Sequence, residues 1–415
     1  MTERRESTAS KHVLLVMHGY APQDPHIVFE ARSLKKAGFG VHVLGTARQV
    51  GRDVPTASTL DGAHVTIVPM VTRWAHLWFE LGRWARGTLP ATLYADGLAR
   101  TNALSFIMLT LWLLRVGLRQ PRLDVVHCRD VAPLLGAWLL AKLRRAKLVY
   151  DARENAPTMF SGRKGRMIAW LERVLLARTD AVISAGWRLE QAMLARGAKH
   201  VTHIGNWKHP QDYIFPAHTL QETRAALGIP ASAVVVTFIG TLDPDREIVP
   251  LLDAVRTHPT THAIIGGRGV LAQTVAQFAQ ECPNVHWLGW VNLADVPLYT
   301  ALSDALYLCL DPQTFHEGDL QPAANKLFES LASGVPLIAR TRGHEASDFL
   351  AREGLGILLE DVNTPNLHAV FERLHDRHAM AELRQRTLAV GRAYTWQEAE
   401  ARLLALYASL VRNAS

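Results

Sequence analysis

Cysteine is scarce: the 415 residues hold three, Cys128, Cys282 and Cys309. No two of them form a Cys-x-x-Cys pair. That excludes a disulfide framework and a thiolate zinc site, and it fits a reducing compartment. Long apolar runs are missing too. The longest, residues 103–114, is about half the ~20 residues that a membrane-spanning helix needs, and Arg100 and Arg115 flank it. Residues 1–10 are polar and lack the apolar core of a signal peptide, so they are expected to form a frayed tail. Neither sign of charge dominates. Lys+Arg number 45 against 38 Asp+Glu, a net charge of +7. This modest excess suits anionic partners in general, such as nucleotides, phosphates or acidic lipid. Low-complexity tracts and short repeats are absent. With 48% apolar and 20% charged residues the chain is not a long disordered segment. At roughly 150 residues per domain, two or three domains are expected.

Short β-rich runs separated by helical periodicity fill the chain. In the first half they fall at 13–17, 41–44, 65–68, 124–127, 147–150, 181–184 and 200–204. The helical stretch 27–37 carries Ile27, Ala31 and Leu34 on one face, with Gly38 closing it. A polar, Pro-containing stretch at 206–216 reads as a linker. The same grammar then restarts, with strands at 233–239, 263–265, 285–288, 305–310, 336–339 and 356–359. The expected fold is α/β: two Rossmann-like domains facing across a cleft, residues 1–208 and 209–395. A final helix over 396–415 would pack back on the first domain. In open parallel sheets, ligands sit outside the carboxyl ends of the strands.

The most informative segment is 320–336. Pro322 near a helix start and Gly334 just past its end frame a helix whose buried face is Leu327, Phe328 and Leu331. Asn325 and Glu329 are four apart and project from one side. Free N–H groups at such a helix start suit a diphosphate, and a carboxylate one turn in suits a ribose diol. A well-capped core helix with a solvated Glu329 is the plain alternative. Residues 73–86 place Trp74, Leu77, Trp78 and Leu81 on one helical face and Arg73 and Arg83 on the other. That pattern suits a membrane interface, or equally a helix packed on its own sheet. His375 and His378 have no partner at metal-ligand spacing.

Asn325-Lys326-Leu327-Phe328-Glu329, followed by Leu-Ala-Ser-Gly-Val-Pro over 331–336, resembles the donor-binding signature of family 4-type retaining glycosyltransferases with the GT-B architecture. Weaker likenesses in the same order extend the resemblance over nearly the whole chain: Asp24-Pro25-His26, the 126–130 strand end, residues 149–155, 238–242, 285–291 and Tyr394-Thr395-Trp396.

The resemblance implies transfer of a sugar, with retention, from a nucleotide diphosphate donor to an acceptor hydroxyl. It implies no metal and no cofactor beyond the UDP- or GDP-sugar co-substrate. The donor would be held by Gly19, Gly240, Gln321, Asn325 and Glu329. Catalytic roles would fall to His127, Asp130, Arg246 and Lys326, with Asp151 and Glu154 lining the acceptor side. Two positions depart from the family pattern. Gln321 stands where a first Glu is expected, and Leu242 stands where a basic residue is expected. Arg268 is a weaker candidate for the phosphate side. The expected acceptor is a glycan or lipid-linked intermediate of cell-surface polysaccharide synthesis. The location would be cytoplasmic, with peripheral contact to the inner membrane face through 73–86, and no nucleic acid would be involved. A nucleotide-sugar 2-epimerase and a non-catalytic partner subunit are the alternatives on the same frame.

Overall fold

Parallel pairing of short buried strands organises the chain in a computed structural model. It describes residues 11–47, 57–69, 106–155, 162–311, 313, 324–342 and 344–412. Two compact units result: Met1–Ile204 with Glu400–Ser415, and Gly205–Ala399. The segment 206–216 is therefore no free linker. It belongs to the second unit, where Trp207 is fully buried and meets Tyr394 edge-on at 5.7 Å.

The first unit is an eight-stranded sheet in the order β3-β4-β2-β1-β5-β6-β7-β8. Its central strands are β1 (His12–Val16), β2 (Gly40–Ala47), β5 (Val125–Arg129) and β6 (Lys147–Ala152). β4 (Ala63–Pro69), β7 (Ala181–Ser184) and β8 (Val201–His203) extend it in parallel. The outer strand β3 (Ala57–Leu60) is antiparallel to β4 and departs from the expected all-parallel sheet. Its hairpin turns at Asp61 (φ 48°) and Gly62 (φ 80°), the left-handed pair that an Asp-Gly turn supplies. β5 and β6 are buried along most of their length, as strands covered by helices on both faces must be.

The second unit is a six-stranded parallel sheet, β11-β10-β9-β12-β13-β14. Its strands are β9 (Val234–Thr241), β10 (Thr261–Arg268), β11 (Val285–Trp287), β12 (Ala305–Leu308), β13 (Leu337–Arg340) and β14 (Ile357–Leu359). Both sheets wind outward in two directions from a central pair. That pair is β1/β5 in the first unit and β9/β12 in the second. A doubly wound sheet opens a crevice at such a reversal, beyond the carboxyl ends of the strands. Topology thus nominates two places before any side chain is considered.

Among the described residues, no helix is long and apolar enough to cross a membrane.

Candidate functional site

At the first reversal, the chain leaves β1 through Gly19. This residue has φ 144° and makes two hydrogen bonds with Thr46: its N–H donates to the side-chain Oγ1 at 2.9 Å and its carbonyl accepts from the backbone N–H at 2.8 Å. The N–H of Gly19, a residue the resemblance placed on the donor side, is therefore committed to β2. Helix Pro25–Lys36 follows. Asp24 caps it, accepting from the N–H groups of His26 (3.0 Å) and Ile27 (3.1 Å), and Pro25 opens it. The same carboxylate receives Arg129 Nη1 at 2.5 Å, which ties the helix start to the end of β5. Glu30 lies on the stripe of Ile27, Ala31 and Leu34, so the helix carries its carboxylate into the core, where it is fully buried.

Glu30 is met by Arg153, which follows β6. Arg153 Nη2 donates to Glu30 Oε1 at 2.8 Å and Nε donates to Asp151 Oδ2 at 2.8 Å. His127 lies alongside, with Nε2 3.8 Å from Asp151 Oδ2 and Nδ1 2.8 Å from the Tyr407 hydroxyl of the last helix, Trp396–Arg412. This corrects the expectation for two residues. His127 and Asp151 are both fully buried, so neither presents a side-chain surface to a substrate hydroxyl. They hold the ends of β5 and β6 instead.

Ligand atoms of Glu30, His127 and Asp151 lie within 4.8 Å of one another, the spacing a cation site would need. Arg153 already supplies positive charge to both carboxylates. Burial and the Asp151 charge raise the pKa of Glu30. Burial opposes ionisation of Asp151 as well, but Arg153 and His127 overcome it and hold that carboxyl below the usual range. The two acids are thus pushed apart, with any shared proton on Glu30.

Asp130 and Glu154 stay at the surface side. Asp130 sits at φ 61° with its Oδ1 accepting from the Arg153 N–H at 3.2 Å. Burial raises its pKa to about 6. Arg129 opposes the rise, and Asp151 and Glu154 add to it. Glu154 is exposed. The outward groups at this strand end are therefore two acids, backed by the buried Arg153.

The second reversal has the opposite character. Gly240 is the penultimate residue of β9, and Gly267, the penultimate residue of β10, has φ 138°. A Cβ on Gly267 would lie 1.7 Å from the Gly240 carbonyl oxygen, so only glycine lets the two strand ends come this close. Leu242 is fully buried. Its N–H donates to the Arg268 carbonyl at 2.8 Å. The departure at 242 thus removes a basic group and puts a core residue in its place.

The next turn, Pro244–Arg246, leads to Glu247 in the left-handed region (φ 48°). Arg340 from β13 grips Glu247 with two bonds of 2.8 and 2.5 Å, and the Tyr307 hydroxyl donates to the Glu247 carbonyl at 2.9 Å. This anchoring fixes the turn that carries Arg246. An Asp-x-Asp spacing occurs here, Asp243-Pro244-Asp245, and Asp245 turns its carboxylate to Arg246 Nε at 3.4 Å.

Helix Asn325–Ser333 completes the site. It begins at Asn325, three residues later than Pro322 suggested, and Ala324 at its cap offers no side-chain acceptor. Its first N–H groups are therefore not capped by that residue's side chain. Lys326 donates to the Ile239 carbonyl at 2.7 Å and lies 4.1 Å from the centre of the Phe238 ring. A Cβ on Gly240 would lie 3.0 Å from its Nζ. Burial lowers the Lys326 pKa to about 8; Glu329 opposes this and Arg246 adds to it. Gly240 and Lys326 thus meet, and Arg246 is close enough for its charge to act on Lys326. Asn325 Oδ1 accepts from Lys208 Nζ at 2.8 Å, and Glu329 lies partly buried one turn along. Gln321 and the 73–86 segment lie outside the described residues. At the end of β10, the Arg268 guanidinium lies 4.2 Å from the ring centre of Trp290, which is 57% exposed.

Sequence reading missed Arg129, Arg153, Glu30 and Tyr407 as partners, and the Glu247–Arg340 pair. The signal for Tyr407 is its helical spacing with Leu403, Leu404 and Leu410 in the last helix. The signal for Glu30 was equally available: it is a carboxylate on an otherwise apolar helix face.

Comparison with known proteins agrees with this two-part layout. Residues 30–207 match a model described as "Glycosyl transferase 4-like domain", and residues 233–376 match "Glycosyl transferases group 1". Spore coat protein SA of Bacillus subtilis (strain 168) is 26% identical over 206 residues, 45% of this chain and 52% of that protein. The chain thus spans about half the length of that curated relative. Among solved structures, Anabaena HepE in complex with UDP superposes with a TM-score of 0.68 at 16% identity, over 96% of this chain and 100% of that one. HepE has also been solved in complex with UDP-glucose. Sucrose-phosphate synthase from Thermosynechococcus elongatus gives 0.70 at 15% identity, over 98% and 100%. At these identities the structural likeness is one of fold.

Proposed function

The chain belongs to the family 4-type glycosyltransferases of the GT-B fold, and we propose that it moves a sugar from a nucleoside diphosphate donor to an acceptor hydroxyl with retention of configuration. The observation that carries the donor reading is the Lys326 ammonium beside Gly240, at the start of helix Asn325–Ser333 and with the Arg246 charge close enough to lower its pKa, at the β9/β12 reversal. A leaving diphosphate develops negative charge. Two cations and a helix N-terminus at one strand end supply stabilisation where that charge appears. Lys326 suits the role because partial burial keeps its ammonium poorly hydrated until an anion arrives. Glu329 would take the ribose diol, and the exposed Trp290 face offers a flat surface to the base. The UDP and UDP-glucose seen with HepE support a uridine donor.

On this reading the acceptor meets the first unit through Asp130, Glu154 and Arg129. Asp130, with its pKa near 6, would orient or accept a proton from the attacking hydroxyl. The transfer would use no metal, the protein's own cations facing the diphosphate. The acceptor would be a glycan or lipid-linked intermediate of cell-surface polysaccharide, handled at the cytoplasmic side of a membrane.

A thermal-shift panel of UDP, GDP, ADP and their sugars tests the donor. A ligand at 100 times its dissociation constant adds about 2.7 kcal/mol of stability. Glu329→Ala is expected to abolish that shift. A full shift in the variant removes the ribose role, and a panel with no shift at all removes the donor reading. An altered sugar still joined to its nucleotide, formed without any acceptor, would favour an epimerase.

A further inference from the structure

Three helices lie side by side over one face of the first sheet: residues 106–118, Leu134–Arg144 and Gly162–Leu176. They pack closely. A Cβ on Gly117 would lie 2.2 Å from Leu140 Cδ2, and one on Gly136 would lie 3.1 Å from Thr110 Cα. Their inner residues, Leu113, Leu140 and Ile168 among them, share one core with the sheet.

Their outer surface is unusual in two independent ways. Twelve large apolar side chains are exposed among the described residues, and six of them are here: Ile107, Leu111, Leu118, Leu143, Met167 and Trp170. Met167 is 62% exposed and Trp170 64%. The charge is also one-sided. The three helices carry seven basic residues and a single acid. That acid, Glu172, is fully buried against the Tyr150 hydroxyl (2.8 Å) and Arg196 (2.9 Å). No carboxylate of these helices therefore reaches the surface.

Helix Gly162–Leu176 shows the arrangement most clearly. Arg163, Arg166, Met167, Trp170 and Arg173 recur at helical spacing and are all exposed. Two large apolar groups thus sit within a frame of arginines. On the neighbouring helices Arg115 lies 5.9 Å from the Trp112 ring and Lys142 5.8 Å from the Trp138 ring, so cationic heads top aromatic bodies.

We infer that this face docks on an anionic lipid bilayer, with Met167 and Trp170 entering the headgroup region and the arginines facing lipid phosphates. A tryptophan prefers the polar–apolar boundary of a bilayer, and basic residues near an anionic leaflet add attraction. A nucleic acid would use the cations but would leave Ile107, Leu111 and Met167 in water, so charge and apolarity together favour lipid. An aqueous role would leave six large apolar groups exposed on one face with no carboxylate among them. The surface is distinct from both strand-end sites.

Vesicle flotation of the full-length chain tests this without donor or acceptor, so its outcome is separate from that of the nucleotide panel. The chain is expected to float with vesicles of phosphatidylcholine and about 30 mol% phosphatidylglycerol, less so as salt rises, and not with phosphatidylcholine alone. Combining Arg163→Gln, Arg166→Gln and Arg173→Gln is expected to weaken binding about 100-fold, at roughly fivefold per arginine. The corresponding three Arg→Lys changes should retain it. Met167→Ser with Trp170→Ser should weaken binding at every salt concentration. An unchanged melting temperature shows that each variant is folded. Equal flotation with neutral vesicles, no flotation at all, or a Gln variant that floats like the parent overturns the inference. Binding to duplex DNA in place of vesicles overturns it as well.

Discussion

The two sheet reversals share a topology and differ in where their charges go. At β1/β5 the charges turn inward: Glu30, Asp151 and Arg153 are buried in mutual contact, with His127 and Tyr407 against them. At β9/β12 the charges stay near the surface. Arg246 and Lys326 are only partly buried, and the Lys326 ammonium would lie 3.0 Å from a Cβ placed on Gly240. Buried ion pairs add little net stability, but removing one partner is costly, so such a network makes one arrangement of the strand ends much better than its neighbours. Partly exposed cations do the reverse. They cost stability through desolvation and are left for an incoming anion. One reversal uses charge to define shape, and the other holds it for a ligand.

The sharpest way to break the contrast is Arg153→Met. It strands two buried carboxylates, and the expected loss is about 3–5 kcal/mol in urea unfolding. A loss below about 1 kcal/mol would mean the network does not define the first unit.

Next in size is Lys326→Ala. The expected result is a 10- to 100-fold loss of nucleoside diphosphate affinity, about 1.4–2.8 kcal/mol, by calorimetry. The parent should also gain stability as pH rises from about 8 toward the ordinary lysine value. Between those limits the folded state binds fewer protons than the unfolded one, because its lysine pKa is lowered to about 8. The variant should lack that rise. Unaltered affinity would move the diphosphate elsewhere.

The smallest effect should come from Asp130→Asn, which keeps a residue tolerant of the left-handed backbone. The carboxyl pKa is raised to about 6, so the folded state binds more protons than the unfolded state between the ordinary aspartate value and 6. Parent stability therefore falls as pH rises through that window. The variant should melt higher than the parent at pH 8 and equally at pH 4. A gain at both pH values would point to a cause other than the buried charge.

Much of the fold was legible in the sequence because parallel strands buried on both faces read as apolar runs between helical segments. Thirteen of the described strands coincide with such runs. The outer strand β3 escaped because Ala57-Ser58-Thr59-Leu60 has little apolar signal, although Asp61-Gly62 marked its turn. The 206–216 stretch was misjudged on composition. Its prolines and polar groups line a surface path, but the buried side chains of Trp207 and Tyr213 pin it to a core. Lys326 and Arg246, beside a helix start and a strand end, were named only through the family resemblance. Burial was not legible. Nothing local to His127 or Asp151 announces that Tyr407 and Glu30 will enclose them, because those two partners come from other elements, whereas Arg153 stands only two residues past Asp151.

The His127–Tyr407 contact joins residues 280 positions apart in one buried hydrogen bond. The first unit therefore cannot finish its interior when its own stretch, ending at Ile204, has been made. At 5–20 residues per second, the ribosome needs roughly 10–40 s more before Tyr407 is added. During that interval His127 must wait with an open flank. The amino-terminal half of the protein is thus the first to be synthesised and among the last to be sealed, and the second unit has time to fold before the chain's final helix closes the first.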